Sequence, residues 1–258
     1  MKNQMKAIGG LLFLILTTSA RSQVLIYSPS NPLTIPDADP NGLQTTMTVP
    51  ASYSAPVSNV KVTLNLQGSA QDCGFAGDLY VALYHQGRAV VLLNRPGRDL
   101  LNPAGYDDTG DFHITLSDSA AHDVHRYQDF SSLAPSIGLT GQWQPDGRTA
   151  NFNAVVSSDP RSAMLDQLNG TEARGQWVMF FADVSGGGVT ELASWSIQFT
   201  VVPEIHGSTI GVATMLGLWA IGRRIVRASK LPQKRNLGVF GSIPEDVGDR
   251  KSFLGNCS

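Results

Sequence analysis

The stretch Gly175-Gln-Trp-Val-Met-Phe-Phe-Ala-Asp183, continued by Val-Ser-Gly-Gly-Gly188 and by Leu192-Ala-Ser-Trp-Ser-Ile-Gln-Phe199, decides the fold of this chain. Large apolar residues alternate in both halves, which is the period of a strand with one buried face: Trp177, Met179 and Phe181, then Trp195, Ile197 and Phe199. The glycines between them permit positive φ and predict a turn, so we interpret the stretch as a hairpin. Two strands cannot bury aromatic faces alone, and a second sheet is therefore predicted.

Upstream segments repeat the alternation and supply the predicted partner strands. No window of 12 residues within 44–202 has a convincing helical period, which indicates an antiparallel all-β fold. We interpret 117–174 as long loops, with a short helix or strand at 164–168. The predicted strands are Gln44–Val49, Val57–Leu66, Asp78–Tyr84, Ala89–Asn94 and Asp111–Leu116.

The charge balance excludes one class of partner and suggests one ligand. The 258-residue chain has a net charge of −2, but 23–222 holds 8 basic and 18 acidic residues. Fifteen of those acids are Asp, and Lys61 is the one lysine in that range. Such a segment does not suit nucleic acid, which needs a basic face. It is compatible with bound Ca²⁺, although a soluble acidic surface is the simpler interpretation.

Both ends of the chain look like targeting segments. Residues 1–22 have two early lysines and a short apolar run, Ile8–Leu16, followed by small residues at Ala20 and Ser22. This pattern predicts a secretory signal peptide, with a retained anchor as the alternative. Residues 23–34 are interpreted as an extended lead-in. The two cysteines, Cys73 and Cys257, suggest neither a disulfide framework nor a zinc site.

The C-terminal segment begins with 18 uncharged residues, Ile205–Gly222, and continues with Arg223 and Arg224. An apolar stretch followed by a basic stop predicts a transmembrane helix with its tail in the cytoplasm. A buried or amphipathic helix is the alternative. Residues 228–258 are polar and are predicted to be disordered.

The ordered motifs of the central part resemble the P domain (P/Homo B domain) of proprotein convertases. The resemblance runs from Ile35 to Phe199, and the segment between Leu93 and Asp111 departs from it by lacking a compact turn. It implies a β-sandwich of jelly-roll type. The matching motifs are Ile35-Pro36-Asp37 with Gly42, Val60 and Val62, Gly77-Asp78-Leu79-x-Val81-x-Leu83, Gly175-x-Trp177 with Asp183, and Leu192-x-Ser194-Trp195-x-Ile197-x-Phe199.

Residues 203–227 resemble the PEP-CTERM sorting signal of bacterial envelope proteins, because Pro203-Glu204 precedes a short apolar stretch and an arginine cluster. That resemblance implies processing by a membrane-bound exosortase-like enzyme. The expected organisation is a signal peptide at 1–22, the lead-in at 23–34, a P-domain-like sandwich at 35–202, a transmembrane sorting segment at 203–227 and a polar tail at 228–258.

No sequence motif for catalysis is present. There is neither Gly-x-Ser-x-Gly nor His-Glu-x-x-His, so we predict no catalytic residues and no enzyme activity. His122 and His125 are three residues apart, but a third metal ligand is missing.

Carboxylates in predicted loops and at strand ends are the candidate ligands for Ca²⁺, a cation that takes six to eight oxygens. The alternative for each is turn capping, in which Asp accepts hydrogen bonds from local N–H groups. The candidates are Asp37, Asp78, Asp107, Asp108, Asp111 and Asp183.

Together these features predict a non-catalytic, exported β-sandwich sorted to or anchored at the cell envelope. Its role would be adhesion, matrix assembly or stabilisation of a partner, with an extracellular glycan or protein as ligand. One alternative is a carbohydrate-binding jelly roll, for which Trp143 and Tyr127 are the loop aromatics. The other is an accessory part of a subtilisin-like serine protease system.

Overall fold

A computed structural model describes residues 21–68, 74–109, 111–130 and 138–201. All of them belong to the first of two compact units, Met1–Ile205. The predicted sorting segment at 203–227, the tail at 228–258, both cysteines and nearly all of the predicted signal peptide lie outside these ranges. Among the described residues, no helix is long and apolar enough to cross a membrane.

The described residues form ten strands in two sheets, which confirms the all-β sandwich. One sheet has the order β1-β10-β4-β7-β8, with β2 also paired to β10, and the other has the order β3-β9-β5-β6. The strands are β1 (Arg21–Tyr27), β2 (Leu33–Thr34), β3 (Asp39–Val49), β4 (Val57–Gly68), β5 (Leu79–His85), β6 (Arg88–Asn94), β7 (Phe112–Leu116), β8 (Leu139–Trp143), β9 (Gly175–Asp183) and β10 (Thr190–Val201).

The predicted hairpin within 175–199 is wrong. Its two halves are β9 and β10, as the alternation predicts, but β9 pairs with β3 and β5 whereas β10 pairs with β1, β2 and β4. The glycine turn therefore carries the chain from one sheet to the other. The aromatic faces of β9 and β10 pack against each other across the core. Each strand therefore belongs to the sheet that buries the aromatic face of the other.

Three further expectations are corrected or refined. The pairing of β7 with β8 is parallel, so the fold is not wholly antiparallel. The segment 23–34 is more than a lead-in, because it supplies most of β1 and all of β2 to the larger sheet. The described residues of 117–174 are mostly loops, but they include β8 and the 3₁₀ helices Val124–Asp129 and Leu165–Leu168.

The core lies between the two sheets and is built from the inward residues of the alternating strands. Trp177 and Trp195 are both fully buried, as predicted. Trp177 donates to the carbonyl of Ala173 at 2.9 Å, and Trp195 donates to the Thr45 hydroxyl of the opposite sheet at 2.9 Å. Each indole N–H thus has a partner, as a buried polar group requires.

The sandwich has two ends with different contents. At one end, Arg21 pairs with Val201, where the chain enters and leaves the larger sheet; we call this the exit end. At the other, which we call the acidic end, β9 finishes at Asp183 and β10 begins at Thr190. The 12 residues of β10 separate the two ends by about 36 Å.

Candidate functional site

All six predicted carboxylates lie at the acidic end. Asp39 and Leu79, which follow Asp37 and Asp78 closely in the chain, are both paired with Asp183 in the strand register. Asp107, Asp108 and Asp111 belong to the connection from β6 to β7, and both of these strands meet that end. Carboxylates up to 146 positions apart in sequence are thereby collected in one region.

Arg95 organises the centre of this region. It directly follows β6, and its guanidinium donates to the carbonyls of Gly77 at 2.8 Å and Ala104 at 3.0 Å. The same group lies 3.5 Å from the Asp78 carboxylate. Arg95 has a φ of +50°, a left-handed conformation that costs a bulky residue on the order of 1–3 kcal/mol. The three contacts hold it there, so Arg95 clamps the β6–β7 connection to the start of β5.

Burial raises the pKa of two carboxyl groups beside Arg95. The pKa of Asp78 is raised by desolvation, and the attraction of Arg95 offsets this only partly. The pKa of Asp183 is raised further, to about 7, by its burial and by the negative charges of Asp78 and Asp37. Asp183 is 1% exposed, and its Oδ2 has no hydrogen-bond partner among the described residues. Arg95 therefore attracts two carboxyl groups, Asp78 and Asp183, and forms an ion pair with Asp78, yet the pKa values of both stay raised.

The three acids that lie closest in sequence do not converge on one point. Asp108 accepts hydrogen bonds from the Tyr127 hydroxyl at 2.8 Å and from Gln128 at 2.7 Å. Asp111 accepts one from the Gly68 N–H at 2.6 Å and caps the end of β4. Asp107 is exposed and lines a cavity. Asp108 thus binds two side chains and Asp111 a backbone N–H of a distant strand, so neither bond is the local turn capping of the alternative.

Among the described residues, no three His, Cys, Asp or Glu side chains are arranged to hold a metal ion. His122 and His125 point to different partners: His122 stacks on Phe130 with ring centroids 3.9 Å apart, whereas His125 is fully buried. The Ca²⁺ predicted from the sequence stays a prediction.

A cavity of about 250 Å³ opens beside the Arg95 clamp. Phe75 and Tyr106 provide aromatic surface, and Asp78 and Asp107 provide carboxylates. Burial raises the pKa of Tyr106 to about 12. Ser185 and Gly186, from the glycine turn between β9 and β10, complete the lining. The cavity thus combines segments from three separate parts of the chain.

Next to this cavity a tight turn displays two leucines to solvent. Leu100 is 84% exposed and Leu101 is 100% exposed. Asp99 and Asn102 close the turn through two reciprocal backbone hydrogen bonds, of 3.0 and 3.1 Å. Asp99 also accepts from the Leu100 N–H and from the Ser157 hydroxyl. These bonds hold the leucines in position although the side chains contact nothing that would bury them.

Side chains at the base of the turn fix it to the rest of the protein. Asn102 donates to the carbonyls of Gly97 and Gly105 at 3.2 and 2.8 Å. Arg98 donates to the carbonyls of Asn153 and Val155. Gly97, at φ +78°, lies so close to Tyr106 that an added Cβ would come within 2.2 Å of its ring. Residues 95–109 of the β6–β7 connection are therefore held together as one unit, and the expectation that 93–111 lacks a compact turn is wrong, because Asp99–Asn102 forms one.

A buried polar network stabilises the same region. His125 Nδ1 lies 2.7 Å from Asp146, and its Nε2 lies 3.0 Å from the carbonyl of Arg98. Arg148 bridges the carboxylates of Asp146 and Asp123 at 3.2 and 2.8 Å. Both ring nitrogens of His125 thus face acceptors. The network ties the 3₁₀ helix Val124–Asp129 to the base of the leucine turn.

A second cavity, of about 320 Å³, has Ser157 and His125 in its lining. These two residues do not form a nucleophile and base pair. Ser157 donates to Asp99, and both nitrogens of His125 are already engaged with Asp146 and Arg98. The two aromatic side chains predicted for sugar binding, Trp143 and Tyr127, are buried, so neither offers an exposed platform.

The sequence interpretation missed the residues that shape the site: Phe75, Arg95, Leu100, Leu101 and Tyr106. The leucine pair could have been recognised, because two large apolar residues stand between turn formers, Asp99 on one side and Asn102-Pro103 on the other. Arg95 gave no such signal, since its role depends on carbonyls brought together by the fold.

Comparisons with known proteins give distant structural similarity to solved structures and no match in sequence. No family model matches the chain, and no curated protein matches it. Among solved structures, the chain is similar to the crystal structure of the complex between the Aeromonas sobria serine protease and its chaperone ORF2, with 14% identity and a TM-score of 0.38. The match covers 74% of this chain and 28% of that one. A similarity at this level assigns neither a family nor an activity.

Proposed function

We propose that this chain is a non-catalytic, exported β-sandwich that binds a partner through its acidic end. Its role is adhesion, matrix assembly or stabilisation of a partner protein at the cell envelope. The observation that supports this best is the assembly at the acidic end. The β6–β7 connection, the start of β5 and the glycine turn surround one acidic cavity there, next to a rigid, solvent-exposed leucine pair. Ordered loops on a rigid scaffold commonly carry binding functions.

The proposal includes a P-domain-type sandwich. When β2 and β8 are left aside, the remaining strands follow the order first, eighth, third, sixth in one sheet and second, seventh, fourth, fifth in the other. That order supports the jelly-roll arrangement that the P-domain resemblance implies.

The proposal assigns no catalytic role. In support, the Ser157, His125 and Asp146 side chains lack the mutual geometry of a hydrolase site, where the histidine must bond the nucleophile. The proposal keeps Ca²⁺ as an alternative ligand of the carboxylates at the acidic end. In the proposal, residues 1–22 are an export signal and residues 203–227 are a sorting or anchoring segment. An exosortase-like enzyme removes the C-terminal segment, or the protein retains it as an anchor.

Mass spectrometry of the mature protein from fractionated producing cells tests this proposal. We expect the protein in the envelope or medium, with a new N-terminus near Arg21 or Gln23. The intact mass would show whether the chain ends near Glu204 or continues to Ser258. A variant that lacks 1–20 is the control and should stay in the cytoplasm. A full chain that starts at Met1 and fractionates with cytoplasmic proteins would contradict the proposal.

A further inference from the structure

We infer that the acidic cavity receives a lysine or arginine side chain of a protein partner, while the Leu100–Leu101 turn packs against apolar residues that flank that side chain. This inference rests on the proposed function and specifies its binding surface. Two independent features carry it, the charge and shape of the cavity and the exposed leucine pair beside it.

The cavity suits an organic cation because carboxylates and aromatic rings line it together. Asp107 is exposed at the cavity, and Asp78 lines it from the start of β5. Phe75 and Tyr106 bring aromatic rings to the lining, and aromatic rings attract ammonium and guanidinium groups. A volume of about 250 Å³ accommodates one long side chain but not a folded element.

Two further carboxyl groups lie behind the lining, and a cation in the cavity would favour their charged forms. Asp183 sits behind Ser185, to whose N–H it is bonded at 3.4 Å, and its second oxygen has no partner among the described residues. Asp37 accepts from the N–H of Gly187, the residue after the lining glycine Gly186. Arg95 is the cation among them, and it already donates to two carbonyls as well as to Asp78. An incoming cation would therefore meet a negative potential that these residues do not neutralise.

The leucine turn is continuous with this cavity. Leu101 is three residues from Ala104, which lines the cavity, so the two Cα atoms are at most about 11 Å apart. The Gly105 N–H also donates to the Asn102 carbonyl at 3.2 Å, which draws the two parts together. A rigid turn loses little conformational entropy on binding, so burial of its two leucines is converted efficiently into affinity.

Two other occupants fit less well. A metal ion needs several oxygens arranged around one point, and no group of three His, Cys, Asp or Glu in the described residues has that arrangement. A loop that inserts into a bilayer is usually flanked by basic residues, which bind anionic lipid headgroups. The Leu100–Leu101 turn is instead flanked by Asp99, Asp107 and Asp108. A protein segment with a basic residue between apolar ones matches both features at once.

The test uses three short blocked peptides with the purified mature protein. Their central sequences are Leu-Arg-Leu, Leu-Gln-Leu and Ser-Arg-Ser, and binding is followed through the NMR amide shifts of Ala104, Gly105 and Gly186. We expect saturable shifts with Leu-Arg-Leu. Affinity should fall about tenfold when glutamine replaces arginine, and about tenfold when serines replace the leucines.

Variants assign each preference to its residues. Asp107→Asn should reduce the ratio of the affinities for Leu-Arg-Leu and Leu-Gln-Leu at least threefold. The double variant Leu100→Ser with Leu101→Ser should remove the leucine-over-serine preference and leave the arginine preference in place. Asp166→Asn is the matched control, because Asp166 is an exposed carboxylate in the 3₁₀ helix Leu165–Leu168 and does not line the cavity. All four substitutions are on exposed side chains, so unchanged thermal unfolding confirms that the variants are folded.

Three results would overturn the inference. The first is the absence of saturable shifts at the three reporter amides. The second is saturation of those shifts by CaCl₂ with exclusion of the peptide, which would make the cavity a metal site. The third is binding to neutral phosphatidylcholine vesicles, lost in the double leucine variant, without peptide binding. Each leaves export untouched, so failure here is distinguishable from failure of the proposed function.

Discussion

The indole of Trp177 lies parallel to the ring of Phe199, with centroids 5.8 Å apart and an interplanar angle of 3°. Trp177 belongs to β9 and Phe199 to β10, so the stack joins opposite sheets of the sandwich. On its own sheet Trp177 also stacks with His85 of β5, at 3.7 Å and 8°. The two strands that define the fold thus stabilise each other through the core and not through a shared hydrogen-bond ladder.

The first prediction concerns this contact. Trp177→Ala should lower the free energy of unfolding by about 3–5 kcal/mol, because it removes a fully buried aromatic and leaves a cavity. A double-mutant cycle of Trp177→Leu with Phe199→Leu should give a coupling of about 0.5–1.5 kcal/mol. Urea unfolding measures both quantities. Tyr84→Leu, on an exposed aromatic of β5, is the control, and coupling near zero would contradict the observed stack.

The alternation of Trp177, Met179 and Phe181 was sufficient to predict strands, burial and the need for two sheets. It could not predict which sheet each strand joins, because a glycine turn of this length serves both a hairpin and a crossing between sheets. Period-2 patterns specify which face is buried and carry no information on lateral partners. The parallel pairing of β8 was invisible for a related reason, since its sequence Leu-Thr-Gly-Gln-Trp has weak alternation.

The six candidate carboxylates lie in one region of the fold, but the three that are closest in sequence do not converge on one point. Asp107, Asp108 and Asp111 stood out because they are close in sequence, yet Asp108 binds the Tyr127 and Gln128 side chains and Asp111 binds the Gly68 N–H. Asp78 and Asp183 come together because their strands pair, a contact between residues 105 positions apart. Local sequence shows turn chemistry well, but a site assembled from distant strand ends requires the sheet order first.

The second prediction is a pH dependence of stability caused by Asp183. Its pKa is raised from 3.8 to about 7 in the folded state, so the folded protein holds a proton that the unfolded chain releases at lower pH. The contribution of this residue to stability therefore falls as the pH rises from about 4 to 7, by at most about 1.4 kcal/mol per pH unit. Asp183→Asn should flatten this part of the stability curve. Parallel curves for the variant and the wild type would contradict the shift.

The third prediction concerns the buried network around Asp146. Asp146→Ala should cost about 3–5 kcal/mol, because it leaves Arg148 and His125 without their buried partner. Hydrogen exchange of the Gly97 amide should become faster, since that amide donates to the carbonyl of His125. The control is Arg126→Ala, which breaks the exposed pair with Asp129 and should cost less than about 1 kcal/mol. Equal losses in the two variants would rule out a structural role for the network.

The fourth prediction separates calcium from an organic cation. If Ca²⁺ is bound at the acidic end, EDTA should lower the melting temperature of the purified protein, and excess CaCl₂ should restore it. If the cavity serves a basic side chain instead, EDTA should leave the melting temperature unchanged, which is the result we expect. Elemental analysis of the sample must accompany the measurement, because only a protein of known metal content makes the absence of a shift meaningful.

Cysteine accessibility in producing cells tests the central claim most directly, that the sandwich is exported and presents its acidic end outside the cytoplasm. Leu101→Cys is introduced in a background in which Cys73 is replaced by serine, and Cys257 is retained or replaced in parallel. The outer membrane is permeabilised, and a maleimide that cannot cross the cytoplasmic membrane is added. It should label Leu101→Cys while the cytoplasmic membrane is intact. Leu168→Cys, at a fully buried position, should stay unlabelled. Labelling of Leu101→Cys only after lysis of the cytoplasmic membrane would contradict the account.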